Sequence, residues 1–117
     1  MTKLNIHVGG TFADDKRRIL DAIARAQAAP ETLEAEDHVS FASWEALARV
    51  MTTKRFELLR HLHRQPEASV AALARSLKRD YKRVHEDVET LSGVGLIDRR
   101  DDGLHADYDE IRTLIAL

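Results

Sequence analysis

The sequence predicts an α+β fold that is mainly α-helical with a small β component. Two segments, Ser69–Leu77 and Asp80–Ser92, carry apolar residues at helical spacing and are separated by only a short turn. A strand–turn–strand pattern follows at Leu96–Ala106. Aromatic residues make up only 5% of the chain, so the core must consist of Leu, Ile, Val and Ala, which suits packed helices better than a large sheet.

Both helical segments begin with a residue type that caps helices, Ser69 in the first and Asp80 in the second. Each segment has one apolar stripe, formed by Val70, Leu73, Ala74 and Leu77 in the first and by Tyr81, Val84, Val88 and Leu91 in the second. The opposite face of the second helix is polar and carries Lys82, Glu86, Glu89 and Thr90, with Arg83 on its flank. A helix that packs on one side and is polar on the other is what reading a DNA major groove requires.

The end of the second helix is predicted at Gly93 and Gly95. Leu96–Arg100 is then typical of a strand, Asp101–Asp102–Gly103 of a tight turn, and Leu104–Ala106 of a second strand. Helix, turn, helix and hairpin in this order form a winged helix-turn-helix, which we predict for residues 52–106 with a supporting helix at Lys54–Arg64.

The remaining residues divide into an N-terminal extension, 1–51, and a C-terminal tail, 107–117. The extension is predicted as strand, helix, strand and helix, at Lys3–Val8, about 13–28, 38–42 and from Ser43 onward. We expect the extension to pair two chains or to bind a partner protein, and an exposed strand at Lys3–Val8 would suit addition to a partner's sheet edge. The tail pattern fits either a helix or a strand.

Charge is distributed unevenly along the chain, although the net charge is only −2. Residues 52–100 contain eleven Lys and Arg against seven Asp and Glu, a net charge of +4, whereas both flanking segments are negative. The excess of positive charge therefore falls on the predicted helix-turn-helix, as phosphate binding requires. Cysteine is absent, which excludes disulfides and cysteine-rich zinc modules, and no apolar run suggests a membrane span or signal peptide. We predict a cytoplasmic protein.

The first turn of the second helix supplies the strongest candidates for DNA contact, because this part enters the groove in the motif. Arg83 suits a bidentate contact with guanine, whereas Lys82 and Arg79 suit phosphates. Glu86 either accepts a hydrogen bond from a cytosine amino group or pairs with Lys82 four residues earlier. Tyr81 either packs on the core or stacks on a base.

Two arginines before the predicted turn of the hairpin, Arg99 and Arg100, are further candidates. They either contact phosphates or the minor groove, or they protect the edge of the hairpin from aggregation. Acidic residues near the turn would repel phosphates, so we expect the tip of the hairpin to contribute little.

Metal, cofactor and catalytic sites are not predicted. The six histidines are scattered, no HExxH motif occurs, and His61 and His63 do not share a helix face. No serine has the setting of a nucleophile elbow, and Gly9–Gly10 lacks the lysine of a phosphate loop. We therefore expect a protein that is not an enzyme and needs no cofactor.

The segment ALARSLKRDYKRVHEDVETLSGVGLI resembles the helix-turn-helix of winged bacterial and archaeal transcriptional regulators. Residues 39–112 more closely resemble a family of small DNA-binding antitoxins, through FASWEALARVMTTKRFELLRHL, RDYKRVHEDV and the terminal YDEIR. The N-terminal third matches that family only in layout. The resemblance implies binding to double-stranded DNA and repression of a toxin–antitoxin operon, with a toxin as protein partner.

Taken together, the sequence predicts a homodimeric, sequence-specific DNA-binding repressor with half-sites about one helical turn apart. The alternative is a winged-helix module that binds another protein and not DNA. The two differ in the exposed face of the second helix, because a protein-binding face would be apolar at Lys82, Arg83 and Glu86.

Overall fold

A computed structural model of the chain describes residues 2–10 and 35–117. It confirms the α+β class. The described elements are, in chain order, β1 (Thr2–Val8), β2 (Ala35–Phe41), α1 (Trp44–Val50), α2 (Thr53–Arg64), α3 (Val70–Leu77), α4 (Tyr81–Gly93), β3 (Asp98–Arg100), β4 (Gly103–His105) and β5 (Glu110–Ile115). The chain forms two compact units, one of Met1–Leu47 with Tyr108–Leu117 and the other of Ala48–Asp107.

The first unit is organised around a parallel three-stranded sheet in the order β2-β1-β5. Alternate residues of β1 project to opposite faces, and Leu4, Ile6 and Val8 are at most 2% exposed. Asn5 and His7, on the other face, are also buried. Burial on both faces is typical of the centre of a parallel sheet.

The position of β1 corrects one expectation from the sequence. Lys3–Val8 was predicted as a half-buried strand with an edge exposed to a partner, but β2 and β5 pair with its two sides. The alternation of residue types is misleading because the polar residues Asn5 and His7 are buried rather than solvated. The edges of this sheet are formed by β2 and β5.

Residues 107–117, treated as a tail in the sequence analysis, supply β5 to the same sheet. Glu110–Ile115 is a strand that lies parallel to β1, with Leu4 opposite Ile111 and Val8 opposite Ile115. The pairing resolves the choice between helix and strand that the sequence left open. The predicted helix at about 13–28 lies outside the described residues.

The helices of the second unit begin where the capping residues predict. Thr52, Ser69 and Asp80 each accept a hydrogen bond from the backbone N–H three residues later, which satisfies a donor left free at the start of α2, α3 and α4. The helices bury Leu58 and Leu62 of α2, Leu73 of α3, and Val84, Val88 and Leu91 of α4, all without measurable exposure. These residues form the core of the unit.

The hairpin β3–β4 is fixed to the helices through the segment between α2 and α3. Glu67 N–H donates to Leu104 carbonyl at 3.3 Å, and Leu104 N–H donates to Glu67 carbonyl at 2.7 Å. The Glu67 carboxylate is buried and accepts hydrogen bonds from Gln65 Nε2 and Ser76 Oγ. Backbone hydrogen bonds therefore attach the hairpin to the helical part of the unit.

No helix in the described ranges is both long and apolar enough to cross a membrane.

Candidate nucleic-acid interface

Helix α4 presents one buried face and one solvent-exposed face. Val84, Val88 and Leu91 pack inward without exposure, whereas Lys82, Arg83 and Glu86 are exposed. Asp80 caps the helix through its Oδ2, which accepts from Arg83 N–H at 3.2 Å. The polar residues predicted to face a groove are thus on the exposed side of a helix held by the core.

A three-residue turn joins α3 to α4 and brings Lys78 to the surface. Lys78 adopts a left-handed conformation with φ 54° and ψ 45°, and its backbone N–H donates to the last carbonyls of α3. Lys78 is exposed, and its side chain extends from the turn that precedes the exposed face of α4. The left-handed residue ends α3 and allows α4 to start after three residues.

Arg79 has a different environment from the one predicted. Its Nη2 donates to Asp87 Oδ2 at 2.8 Å, and its side chain is only 20% exposed. Asp87 also accepts from Arg55 Nε at 2.9 Å, so one carboxylate ties α2, the α3–α4 turn and α4 together. The structure therefore gives Arg79 a structural role, and the phosphate contact expected from the sequence stays a prediction.

Arg99, in strand β3, is held against α4. Its Nη2 donates to Glu89 Oε1 and its Nε donates to Ser92 Oγ at 3.2 Å. The hydrogen bond from Arg99, followed by its positive charge, lowers the pKa of Glu89. Arg99 thus fixes the hairpin to the C-terminal half of α4, and its charge is offset by a carboxylate.

Arg100 is enclosed by two carboxylates. Its Nε donates to Asp98 Oδ2 at 2.7 Å and its Nη2 donates to Asp107 Oδ2 at 2.6 Å. These hydrogen bonds, with Asp98 as the larger contribution, raise the pKa of the guanidinium. The hairpin arginines predicted to contact DNA are therefore both paired with acids, and nearby Asp101 and Asp102 are exposed.

Four cations near the α3–α4 turn have no such partner. The side chains of Arg75, Lys78, Lys82 and Arg83 are all exposed and form no ion pair or hydrogen bond with the described part of the chain. We name these four residues the turn cations. They lie in the last turn of α3, in the turn and in the first turn of α4, which gives residues 75–83 an excess of positive charge and favours contact with phosphates.

Sequence reasoning identified Lys82 and Arg83 but missed Arg75 and Lys78. The sequence indicates these two residues only as part of the net positive charge of residues 52–100. The sequence does indicate that Lys78 lies in the turn, because Lys78 directly follows Leu77, the last residue of the apolar stripe of α3. The left-handed conformation itself was not predictable, since Lys rarely adopts it.

Two further candidates lie on the exposed side of α4. Tyr81 is 54% exposed, and its ring is tilted against that of His85 at 5.9 Å between centroids. Tyr81 is therefore available for stacking and is not part of the core. Glu86 forms no ion pair with Lys82 or another described cation, so the intrahelical pair expected as an alternative is not formed.

Metal donors do not converge in the structure. Within residues 2–10 and 35–117, no group of three or more His, Asp or Glu side chains is placed to hold a metal ion.

Comparison with known proteins gives one family. The family model HVO_A0114 matches residues 50–113, more than half of the chain, and the chain belongs to that family. The match spans α2, α3, α4 and the hairpin. Neither a curated protein nor a solved structure matches the chain significantly.

Proposed function

We propose that Ala48–Asp107 is a winged helix-turn-helix that binds double-stranded DNA, with α4 as the helix in the major groove. The observation that carries this proposal is the exposed, unpaired set of turn cations at the start of a helix whose other face is fully buried. In helix-turn-helix proteins the first turns of the second helix meet the base edges. The face is polar, which argues against the alternative of a protein-binding winged helix.

The residues at this face divide by their chemistry. Arg83 carries a planar guanidinium suited to guanine, and Glu86 accepts hydrogen bonds from cytosine. Lys78, Lys82 and Arg75 are suited to phosphates, which fix the register of the helix without reading sequence. Tyr81 stacks on the backbone or on a base. Arg79, Arg99 and Arg100 hold the structure together and contribute little to DNA affinity.

The biological role is proposed from the resemblance to DNA-binding antitoxins. The protein would act in the cytoplasm as a homodimeric repressor of its own operon, bind a toxin as a second partner, and catalyse no reaction. Two copies would add their turn cations, which supports useful affinity despite a net charge of −2 per chain.

Binding to the DNA upstream of the gene tests the proposal. The full chain is titrated against that DNA and against random DNA of equal length, and tighter binding to the upstream site is expected. Lys82→Ala combined with Arg83→Ala should weaken specific binding by several kcal/mol, at about 1–3 kcal/mol for each good contact. Fluorescence anisotropy of labelled DNA measures both affinities.

The matched control is Lys54→Ala, which removes an exposed cation from α2. Lys54 lies within 3.8 Å of Glu57 and outside the turn cations, so its loss should leave DNA affinity almost unchanged. Full retention of binding by the Lys82/Arg83 double variant would remove α4 from the role of reader. Equal, weak binding of the wild type to both DNAs would favour the protein-binding alternative.

A further inference from the structure

Three of the six large apolar side chains that are exposed among the described residues lie in or just after the edge strand β5. Leu114 is 49% exposed and Ile115 is 50% exposed, and Leu117 beyond the strand end is fully exposed. Leu114 and Ile115 project to opposite faces of the sheet, so apolar side chains are exposed on both faces of this strand. Charged residues occur only in its first half, at Glu110 and Arg112. An unprotected apolar edge strand is a site for pairing with another strand.

In β5, the backbone N–H and C=O groups of every second residue are directed away from β1. Val8 carbonyl accepts from Ala116 N–H at 2.9 Å while Val8 itself lies opposite Ile115. In a parallel ladder this pattern directs the N–H and C=O groups of residues 112, 114 and 116 toward β1. The same groups of Ile111, Thr113 and Ile115 therefore point outward from the sheet edge.

We propose that β5 pairs in antiparallel fashion with β5 of a second copy of this chain, centred on Thr113. The outward residues read Ile111, Thr113, Ile115, which is the same sequence in both directions about Thr113. An antiparallel copy thus places Thr113 opposite the partner's Thr113 and each Ile111 opposite the partner's Ile115. The two three-stranded sheets become one continuous sheet.

The charge on β5 disfavours the neighbouring register that is centred on Arg112. Antiparallel pairing of outward residues with outward residues allows shifts of two residues only. Shifting the centre from Thr113 to Arg112 would put two Arg112 side chains directly opposite each other, which is unfavourable. Centring on Thr113 places Arg112 opposite the partner's Leu114, where its aliphatic stem covers the apolar side chain.

The faces of the sheet also match across this pairing. Ile111, Thr113 and Ile115 share the face that carries Leu4, Ile6 and Val8 of β1, as the residue pairing shows. Pairs of β-branched residues directly opposite each other stabilise antiparallel sheets. The other edge strand of the sheet, β2, alternates Val39 and Phe41 with His38 and Ser40 and lacks such a self-complementary row.

The mass of the full chain in solution is the first test. Light scattering should give twice 13.2 kDa for the wild type. Thr113→Pro should give the monomer mass, because proline removes an N–H that points outward and leaves the bonds to β1 intact. Thr113→Lys, which sets two ammonium groups against each other, is a second variant with the same expected result. Circular dichroism verifies that both variants remain folded.

Cysteine cross-linking tests the register, since the chain has no cysteine of its own. A directly opposed hydrogen-bonded pair has Cα atoms about 5.5 Å apart, within the range that a disulfide spans. Thr113→Cys should form a covalent dimer on mild oxidation, and Arg112→Cys should cross-link much more slowly.

Three results would overturn the proposal. A wild type that stays monomeric at all concentrations removes the dimer, and a dimer that persists in folded Thr113→Pro and Thr113→Lys places it elsewhere. Cross-linking of Arg112→Cys at least as fast as Thr113→Cys rules out the Thr113-centred register. None of these measurements involves DNA, so their failure would leave DNA binding by α4 untouched, although a monomeric wild type would also remove the homodimer from the proposed role.

Discussion

Gly103 is the residue on which the attachment of the hairpin depends most directly. Its φ of 138° is unfavourable for other residues, and an added Cβ would lie 2.2 Å from Glu67 carbonyl oxygen. The contact is with backbone that is itself hydrogen-bonded to Leu104, so it cannot move aside at low cost. Only glycine allows the hairpin to approach the segment between α2 and α3.

Gly103→Ala is therefore expected to lower the free energy of unfolding by about 2–4 kcal/mol. Urea denaturation followed by circular dichroism measures the change. Gly93→Ala is the matched control, because its Cβ would meet no atom within 4 Å and alanine favours a helix by up to about 1 kcal/mol. Equal stability of the two variants would show that the approach of Gly103 to Glu67 is not constrained.

Asp87, like Gly103, has a structural role. Its exposed neighbour Glu86 lacks such a role. Its carboxylate is 13% exposed and joins Arg55 to Arg79. Asp87→Asn leaves two partly buried guanidinium groups without a counter-charge, and we expect a loss of about 3 kcal/mol in stability. Thermal or urea unfolding measures it. Glu86→Gln, one residue earlier and exposed, should change stability by less than about 0.5 kcal/mol; a similar loss in both would refute the assigned role.

At the scale of elements, a helix or strand could be predicted where it depends on residues close in the sequence. It could not be predicted where it depends on residues far apart in the chain. Helices α3 and α4 could be bounded to within a residue because their caps, Ser69 and Asp80, and their apolar stripes are local signals. Strand β5 could not be assigned, since Ile111, Leu114 and Ile115 suit a helix whereas Ile115 and Leu117 suit a strand. Its conformation is decided by pairing with β1, more than a hundred residues earlier in the chain.

The candidate site shows the same limit. The exposure of Lys82, Arg83 and Glu86 followed from helical periodicity. The pairing of Arg99 with Glu89, and of Arg100 with Asp107, depends on how the hairpin folds back and was not visible in the sequence. A basic residue at a position that suits DNA contact is therefore not always free to bind DNA, because its charge can be paired within the protein.

The hairpin also gives a prediction for pH. His105 Nε2 lies 2.9 Å from Asp102 Oδ1, and this hydrogen bond lowers the pKa of Asp102 below its ordinary value of 3.8. A depressed folded-state pKa means that the stabilisation is fully present above 3.8 and is lost as the pH falls through the folded-state value. When the pH is lowered from neutral to acid, the free energy of unfolding of Asp102→Asn should thus fall by less than that of the wild type.

Urea midpoints at the two pH values measure this difference. Asp101→Asn is the control, because the Asp101 side chain is exposed and forms no ion pair with another described residue. It should follow the wild type at both pH values. An Asp102→Asn protein with the same acid sensitivity as the wild type would contradict the stabilising role of the contact with His105.

At the scale of the whole molecule, the candidate DNA-binding face and the exposed edge strand β5 lie in different units. The turn cations belong to Ala48–Asp107, whereas the exposed apolar strand edge belongs to the unit that contains β1, β2 and β5. The proposed division, with one unit for DNA and another for pairing, suits a repressor of a palindromic operator. The low net charge then matters less than its local distribution.

The central claim is that the exposed face of α4 binds DNA, and the salt dependence of binding tests it most directly. Each phosphate contact contributes about 0.9 to the slope of log K against log salt concentration. Lys82→Ala should reduce that slope by about this amount on both upstream and random DNA, while Lys54→Ala should leave it unchanged. Identical slopes for the wild type, Lys82→Ala and Lys54→Ala would contradict the assignment of this face to DNA.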